Sequence, residues 1–237
     1  MHTATHSEIL WNKIRLAEGR LISASNNFWT HPELAEMLPD FLVQLHRVMQ
    51  GGISLMRIAR DRALTLAGDE VASITASYLE SHIDEEKDHD AWLLDDINSL
   101  GISRAQVFQA DPLNSVVSLL GPQYFWALNI HPATVFGYLI VLEGYPPLSH
   151  QLEEIRIRTG LPATAFRCLQ AHADNDPHHI ADLNRTLDSL SLTATQAKYI
   201  TLSAFQTIDA VASVFEELLE QNNVRLSETP ALSAANT

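Results

Sequence analysis

The chain of 237 residues has a single cysteine, Cys168, so no intramolecular disulfide framework can staple it and no cysteine-rich metal knuckle can form. That thiol stands in the apolar-flanked stretch AFRCLQ and reads as a buried structural group rather than a nucleophile. Basic residues are scarce as well: 15 Lys and Arg against 29 Asp and Glu leave a formal charge of -14. Such a balance excludes nucleic acid and anionic membrane surfaces, which need basic patches, and leaves small molecules or proteins as partners. No run approaches the ~18 apolar residues of a membrane span, and the start MHTATHSE lacks the charged and apolar regions of a secretion signal. A cytoplasmic protein, long enough for a substantial apolar core, is expected.

Alternating β-branched runs are missing too, and almost every stretch between turn signals carries a 3.6-residue apolar period, which predicts an all-α fold. A first helix is expected from near Ser7 with Leu10, Ile14 and Leu21 inward, and a second from Pro39 to Gly68, kinked or interrupted at Gly51-Gly52. Asp69 is a plausible N-cap for a helix of about 30 residues ending near Gly101. Pro132 to Glu143 reads as an apolar helix, and Thr193 with Gln196 forms a capping box for the last one. The face of that last helix with Val211, Phe215 and Leu218 suits the core or a homodimer. One helical bundle over residues 1–226 is expected, with a small, polar and disordered tail over 227–237.

Against this background one pattern occurs twice, His-x-x-x-acid-x-x-His. It is carried by His82, Glu86 and His89, and again by His172, Asp176 and His179. On a helix, positions i, i+4 and i+7 lie in a narrow arc, so each copy would aim two imidazoles and a carboxylate one way. Both copies sit on apolar stripes: Val71, Tyr78, Leu93 and Ile97 extend the first, and Leu169, Leu183 and Leu187 the second. An ionised carboxylate in a core position costs several kcal/mol unless a cation or a partner meets it. Glu143, at the end of the apolar run FGYLIVL, is a third candidate. Glu86, His89, Glu143, His172, Asp176 and His179 together offer three imidazoles and three carboxylates, a set suited to two divalent first-row metals. Pro177 complicates the second copy, because it removes a backbone hydrogen bond and predicts a kink, or a new helix capped by Asn175 or Asp176. Aromatic residues Phe125, Trp126, Phe136, Tyr138 and Tyr145 are candidates for lining an apolar pocket. His46, in LVQLHRVM, reads as a packed core histidine.

Glu86-x-x-His89, Glu143 in YLIVLEG and His172-ADN-Asp176-PH-His179, in that order and spacing, resemble the heme-oxygenase-like diiron oxidases and oxygenases, also called iron-containing redox enzymes. The resemblance covers about residues 35–220; the last motif is fairly specific, whereas Glu-x-x-His alone is weak. It implies a fold of about seven core helices and two weakly held iron ions, with manganese as a substitute, that activate O2 to oxidise, hydroxylate or cleave a small amino-acid-like or fatty-acid-like substrate. His82 departs from the pattern by standing where some members place a Glu ligand. It is therefore a ligand, a partner behind one, or a core histidine, and either Glu86 or Glu85 supplies the first carboxylate.

Two other functions compete. A metal-free small-ligand binder of the same fold, similar to the thiamin-salvage proteins, needs the cavity but not the ions. A metal-dependent phosphohydrolase would use the adjacent His89-Asp90 pair, but on one continuous helix Asp90 points about 100° away from the ligand stripe.

Overall fold

In the computed structural model, which describes residues 4–228, every regular element is helical. The order is α1 (His6–Ala17), α2 (Gly19–Trp29), α3 (Leu34–Leu64), α4 (Glu70–Glu85), α5 (His89–Ser99), α6 (Arg104–Gln109) and α7 (Asn114–Phe125). A π-helical turn (Trp126–Ile130) and a 3-10 turn (Pro132–Thr134) lead into α8 (Val135–Leu142). Next come α9 (Ser149–Thr159), a 3-10 turn (Ala163–Ala165), α10 (Arg167–Ser189) and α11 (Ala194–Glu228). No helix among the described residues is long and apolar enough to cross a membrane. The last helix continues through Ser227 and Glu228, past the expected start of the tail; 229–237 lie outside the described residues.

The two longest helices organise the bundle. Helix α3 packs on α4, α5 and α7, and α11 packs on α2, α7 and α8. Phe28, Phe41 and Phe215 lock α2, α3 and α11 together, with ring centroids 5.3 to 5.9 Å apart. The expected inward residues Leu10, Ile14, Leu21, Phe215 and Leu218 are buried, and so is His46, whose ring nitrogens have no hydrogen-bond partner.

Helix boundaries depart from the sequence reading where tertiary contacts outweigh local signals. Helix α3 begins at Leu34, ahead of Pro39, and runs unbroken through Gly51-Gly52. Those glycines do not interrupt the helix and sit at close contacts: a Cβ on Gly51 would lie 2.4 Å from the Leu120 side chain. Helix α10 likewise runs unbroken through Pro177, so neither Asn175 nor Asp176 caps a new helix. In the opposite sense, the helix expected from Asp69 to Gly101 is two. Asp69 does cap α4 by accepting from Ala72 N, but α4 ends at Glu85, and Asp88 adopts the left-handed conformation at φ 68° before α5. Acidic residues at a helix C-terminus oppose its dipole, and aspartate is one of the few residues that tolerate φ above zero.

Two packing details fix the elements that carry the candidate site. Gly137 in α8 lies so close to α11 that a Cβ there would meet Ile200 O at 2.2 Å and Ala204 N at 2.7 Å. Helix α10 has no side-chain cap of its own; instead Asp96 from α5, fully buried, accepts from Cys168 N at 2.7 Å and Arg167 Nε at 2.9 Å. A carboxylate from another helix thus satisfies the start of the helix that bears the second motif.

Because backbone cannot yield as a side chain does, Gly137→Ala is expected to cost about 3 kcal/mol in urea unfolding, whereas Gly121→Ala, with open space around it, stays within about 0.5 kcal/mol. Asp96→Ala leaves the buried Cys168 N–H unpaired and is expected to cost about 2 kcal/mol in the same measurement; a cost below about 0.5 kcal/mol would refute the capping role.

Candidate metal centre

The break between α4 and α5 shapes the site. Glu86 caps α4 and His89 begins α5, and their side chains meet at 3.0 Å between Glu86 Oε2 and His89 Nδ1. Helix α10 runs alongside and brings His172 Nε2 to 3.6 Å from the same Glu86 oxygen, so Glu86, His89 and His172 form one group of three donors. The other Glu86 oxygen, Oε1, faces His179 Nδ1 at 3.4 Å. His179 belongs to a second group with His82 and Glu85, in which Glu85 Oε2 lies 3.7 Å from His82 Nδ1 and from His179 Nε2. Glu143, just past α8, places Oε1 2.9 Å from His82 Nε2, and Asp176 Oδ1 lies 3.8 Å from His179 Nδ1.

The two sequence motifs therefore pair in antiparallel fashion. His82 of the first copy stands against His179 of the second, and His89 against His172, with ring centroids 5.0 Å apart in both pairs. All eight residues singled out in the sequence, His82 and Glu85 included, lie in or beside this cluster. Glu85 is its most exposed member, while His82, His89, Glu143, Asp176 and His179 are buried. Asp90 belongs to neither group of three and accepts instead from Gln50 Nε2 at 3.4 Å, which removes the geometric support for the phosphohydrolase reading.

Burying this much charge shifts the groups in different directions. Burial alone would raise the Glu86 carboxyl, but hydrogen bonds with His172 and His89 outweigh it and hold the group far below the usual carboxylate range. Burial opposes charge on His172 as well, yet Cys168 and Glu86 push it up to about 11. His82 is likewise raised, because contact with Glu143 overcomes burial. Asp176 goes the other way: burial pushes its carboxyl up to about 7, with opposition from His172 and reinforcement from Glu143 and Glu86. Three atoms at the cluster, Glu143 Oε2, Asp176 Oδ1 and His179 Nδ1, are buried without a hydrogen-bond partner. His172 Nδ1 lies 2.9 Å from Cys168 O, and donation to that carbonyl fixes the ring so that Nε2 points at Glu86.

An apolar cavity of about 490 Å³ opens onto this cluster. Of the aromatic residues expected to line it, Tyr138 and Tyr145 do. Phe125 is exposed, Phe136 is fully buried in the core, and Trp126 lies on a separate pocket beside α11. Trp29, Phe41 and Phe215 take their place; each is spaced as an ordinary core residue, so only the assembled helices show that one edge of the aromatic cluster borders the cavity.

Comparison with known proteins agrees with this architecture. A crystal structure of a domain of unknown function with a heme oxygenase-like fold, from Shewanella denitrificans, is similar at a TM-score of 0.74 and 16% identity, over 97% of this chain and 95% of that one. A TenA homolog from Pseudomonas syringae is similar at a TM-score of 0.68 and 11% identity, over 89% and 91%. No curated protein matches the sequence. Residues 67–211, well over half of the chain and including all eight cluster residues, match the model of one family. The chain belongs to the iron-containing redox enzymes, on an all-helical, heme-oxygenase-like fold.

Proposed function

We propose that the protein is a non-heme diiron oxidase or oxygenase acting on a small, largely apolar organic substrate. The observation that carries this reading is Glu86, with one carboxylate oxygen toward His89 and His172 and the other toward His179, between two groups of three donors. The donors are mixed imidazole and carboxylate, which suits iron or manganese better than a thiolate-loving metal. The three unpartnered atoms are what a cation would satisfy. His172, Glu86 and His89 would hold one ion; His82, His179, Glu143 and Asp176 would hold the other, with Glu85 at its rim. When bound, two ferrous ions supply the electrons that reduce dioxygen.

The protein's own part is orientation and exclusion of water. The Cys168 carbonyl fixes the His172 ring, Asp96 fixes the start of its helix, and Gly137 seats α8 so that Glu143 reaches His82. The apolar cavity keeps bulk water from the reacting face and admits a substrate beside it. The same cavity also favours a second reading, a metal-free ligand binder on this fold, and metal content separates the two.

Anaerobic titration with Fe(II) is expected to load two ions per chain and to give new near-ultraviolet and visible absorbance on exposure to oxygen. His89→Ala should lose one ion, and Glu86→Ala should weaken both; a chain that binds no iron at equimolar supply and shows no oxygen-dependent absorbance ends the proposal. Binding should also depend on pH with a definite sign. Asp176, with its carboxyl at about 7, is protonated below that value and must release the proton to hold a cation, so affinity falls as pH drops through 7. Calorimetry with Mn(II) at pH 6 should therefore register about one proton fewer released for Asp176→Asn than for the natural chain.

A further inference from the structure

Tyr138 carries a polar group in the cavity wall that the cluster does not explain. Its side chain is 1% exposed, its hydroxyl has no hydrogen-bond partner, and it lines the apolar cavity. The helix opposite makes room for it: the bare Gly52 faces it in α3, where a Cβ would lie 3.1 Å from Tyr138 Oη. Away from the acidic cluster, three neighbouring polar side chains are engaged. Gln44 bonds Asp111 O and Leu113 N, the Tyr145 hydroxyl donates to Glu18, and nearby Tyr124 donates to Gly51 O. Phenylalanine would fill the space at Tyr138 without leaving a buried hydroxyl unsatisfied, so the oxygen has no role in packing.

The charge of the cavity narrows what could meet that hydroxyl. Neither lysine nor arginine is among its lining residues, and its four acids, Glu86, Asp90, Glu143 and Asp176, outnumber its two imidazoles, His82 and His172, which already face Glu143 and Glu86. An anionic group on a ligand would therefore meet no unpaired counter-charge along the wall. Burial, with Tyr124 and Glu143 nearby, also holds the Tyr138 proton on, so the group acts as a donor.

We infer that Tyr138 is a ligand-binding residue whose hydroxyl donates to an acceptor oxygen, such as a ketone, ester or ether, on an otherwise apolar and uncharged part of the molecule occupying the cavity. This rests on the reading of the cavity as the substrate chamber of the proposed centre, and it deepens that reading by naming a substrate class: a neutral, oxygen-bearing hydrocarbon rather than a polar or multiply charged metabolite. It also places part of substrate selection on α8, the helix that leads to Glu143.

The test uses the full-length protein stripped with EDTA and two probes of matched shape, heptan-2-one and 2-methylhept-1-ene, which differ by a carbonyl oxygen against a methylene. Calorimetric titration of the natural chain and of Tyr138→Phe is expected to show ketone affinity falling about five- to tenfold in the variant, with alkene affinity unchanged. The melting temperature of Tyr138→Phe should be equal to or above that of the natural chain, whereas Tyr124→Phe, which loses a hydrogen bond to Gly51 O, should melt lower and keep its ketone affinity. Equal effects of Tyr138→Phe on both probes, no effect on either, a melting temperature lowered as in Tyr124→Phe, or failure of both probes to bind would each overturn the inference. Because the protein is metal-free throughout, failure of iron binding leaves this result untouched, and iron binding with an inert Tyr138 overturns this inference alone.

Discussion

Buried negative charge is the constraint around which this molecule is arranged. Glu86, Glu143 and Asp176 stand together at the inner end of an apolar cavity, and neither lysine nor arginine lines that cavity to neutralise them. Each carboxylate meets the cost differently. Glu86 shares the hydrogen bonds of two imidazoles, Glu143 leans on His82, and Asp176 holds its proton up to about neutral pH. Replacing such a cluster with well-packed apolar residues would be neutral or favourable for stability. The chain maintains the cluster at a cost that folding alone does not require, which is the physical sign of a site kept for chemistry.

The scaffold supplies what the cluster needs by borrowing across helices. Two of the four helices that surround the site depend on a remote contact for their placement, and a turn sets the other two. Asp96 of α5 caps α10, Gly137 lets α8 sit against the backbone of α11, and Asp88 turns the chain between α4 and α5 at positive φ. A non-glycine residue in that conformation costs of order 1 kcal/mol and persists only where its surroundings over-determine it. Here the surroundings are the contacts of Glu86 and His89 on either side of the turn, which a straight helix would not hold in the same relation to α10.

Fold class was legible because 3.6-residue periodicity is a local property, and both His-x-x-x-acid-x-x-His patterns stood out because imidazoles and acids on apolar stripes conflict with burial. Boundaries were less so, for an identifiable reason. Proline 177 and the Gly51-Gly52 pair are breakers by propensity, yet helices α10 and α3 run through them because packing outweighs one lost hydrogen bond or some backbone entropy. The real break, at Glu86 to Asp88, is marked only by an excess of acids in the run DEEKD, where a helix dipole disfavours them, a weak signal inside a run that reads as continuous. Cavity-lining aromatics were harder still: Trp29 and Phe215 have ordinary core spacing, and only the assembled bundle shows which edge of the cluster faces open space.

The twin motifs also mean something different in space from what they suggest in line. If each copy served its own ion, His82 would work with His89 and His172 with His179. A helical rise of about 1.5 Å per residue separates the two histidines of one copy by roughly 10 Å along the axis, too far for one ion. The antiparallel packing pairs His82 with His179 and His89 with His172 instead, so each pole takes one imidazole from each copy, and the central acids, Glu86 and Asp176, fall between the poles. Those two acids occupy corresponding places but not corresponding states, since Glu86 is held ionised by two imidazoles and Asp176 is held neutral by burial. Each pole therefore gives up a proton on taking a cation, from the His172 imidazole at one and from the Asp176 carboxyl at the other, and the apparent twofold pattern resolves into two unequal sites.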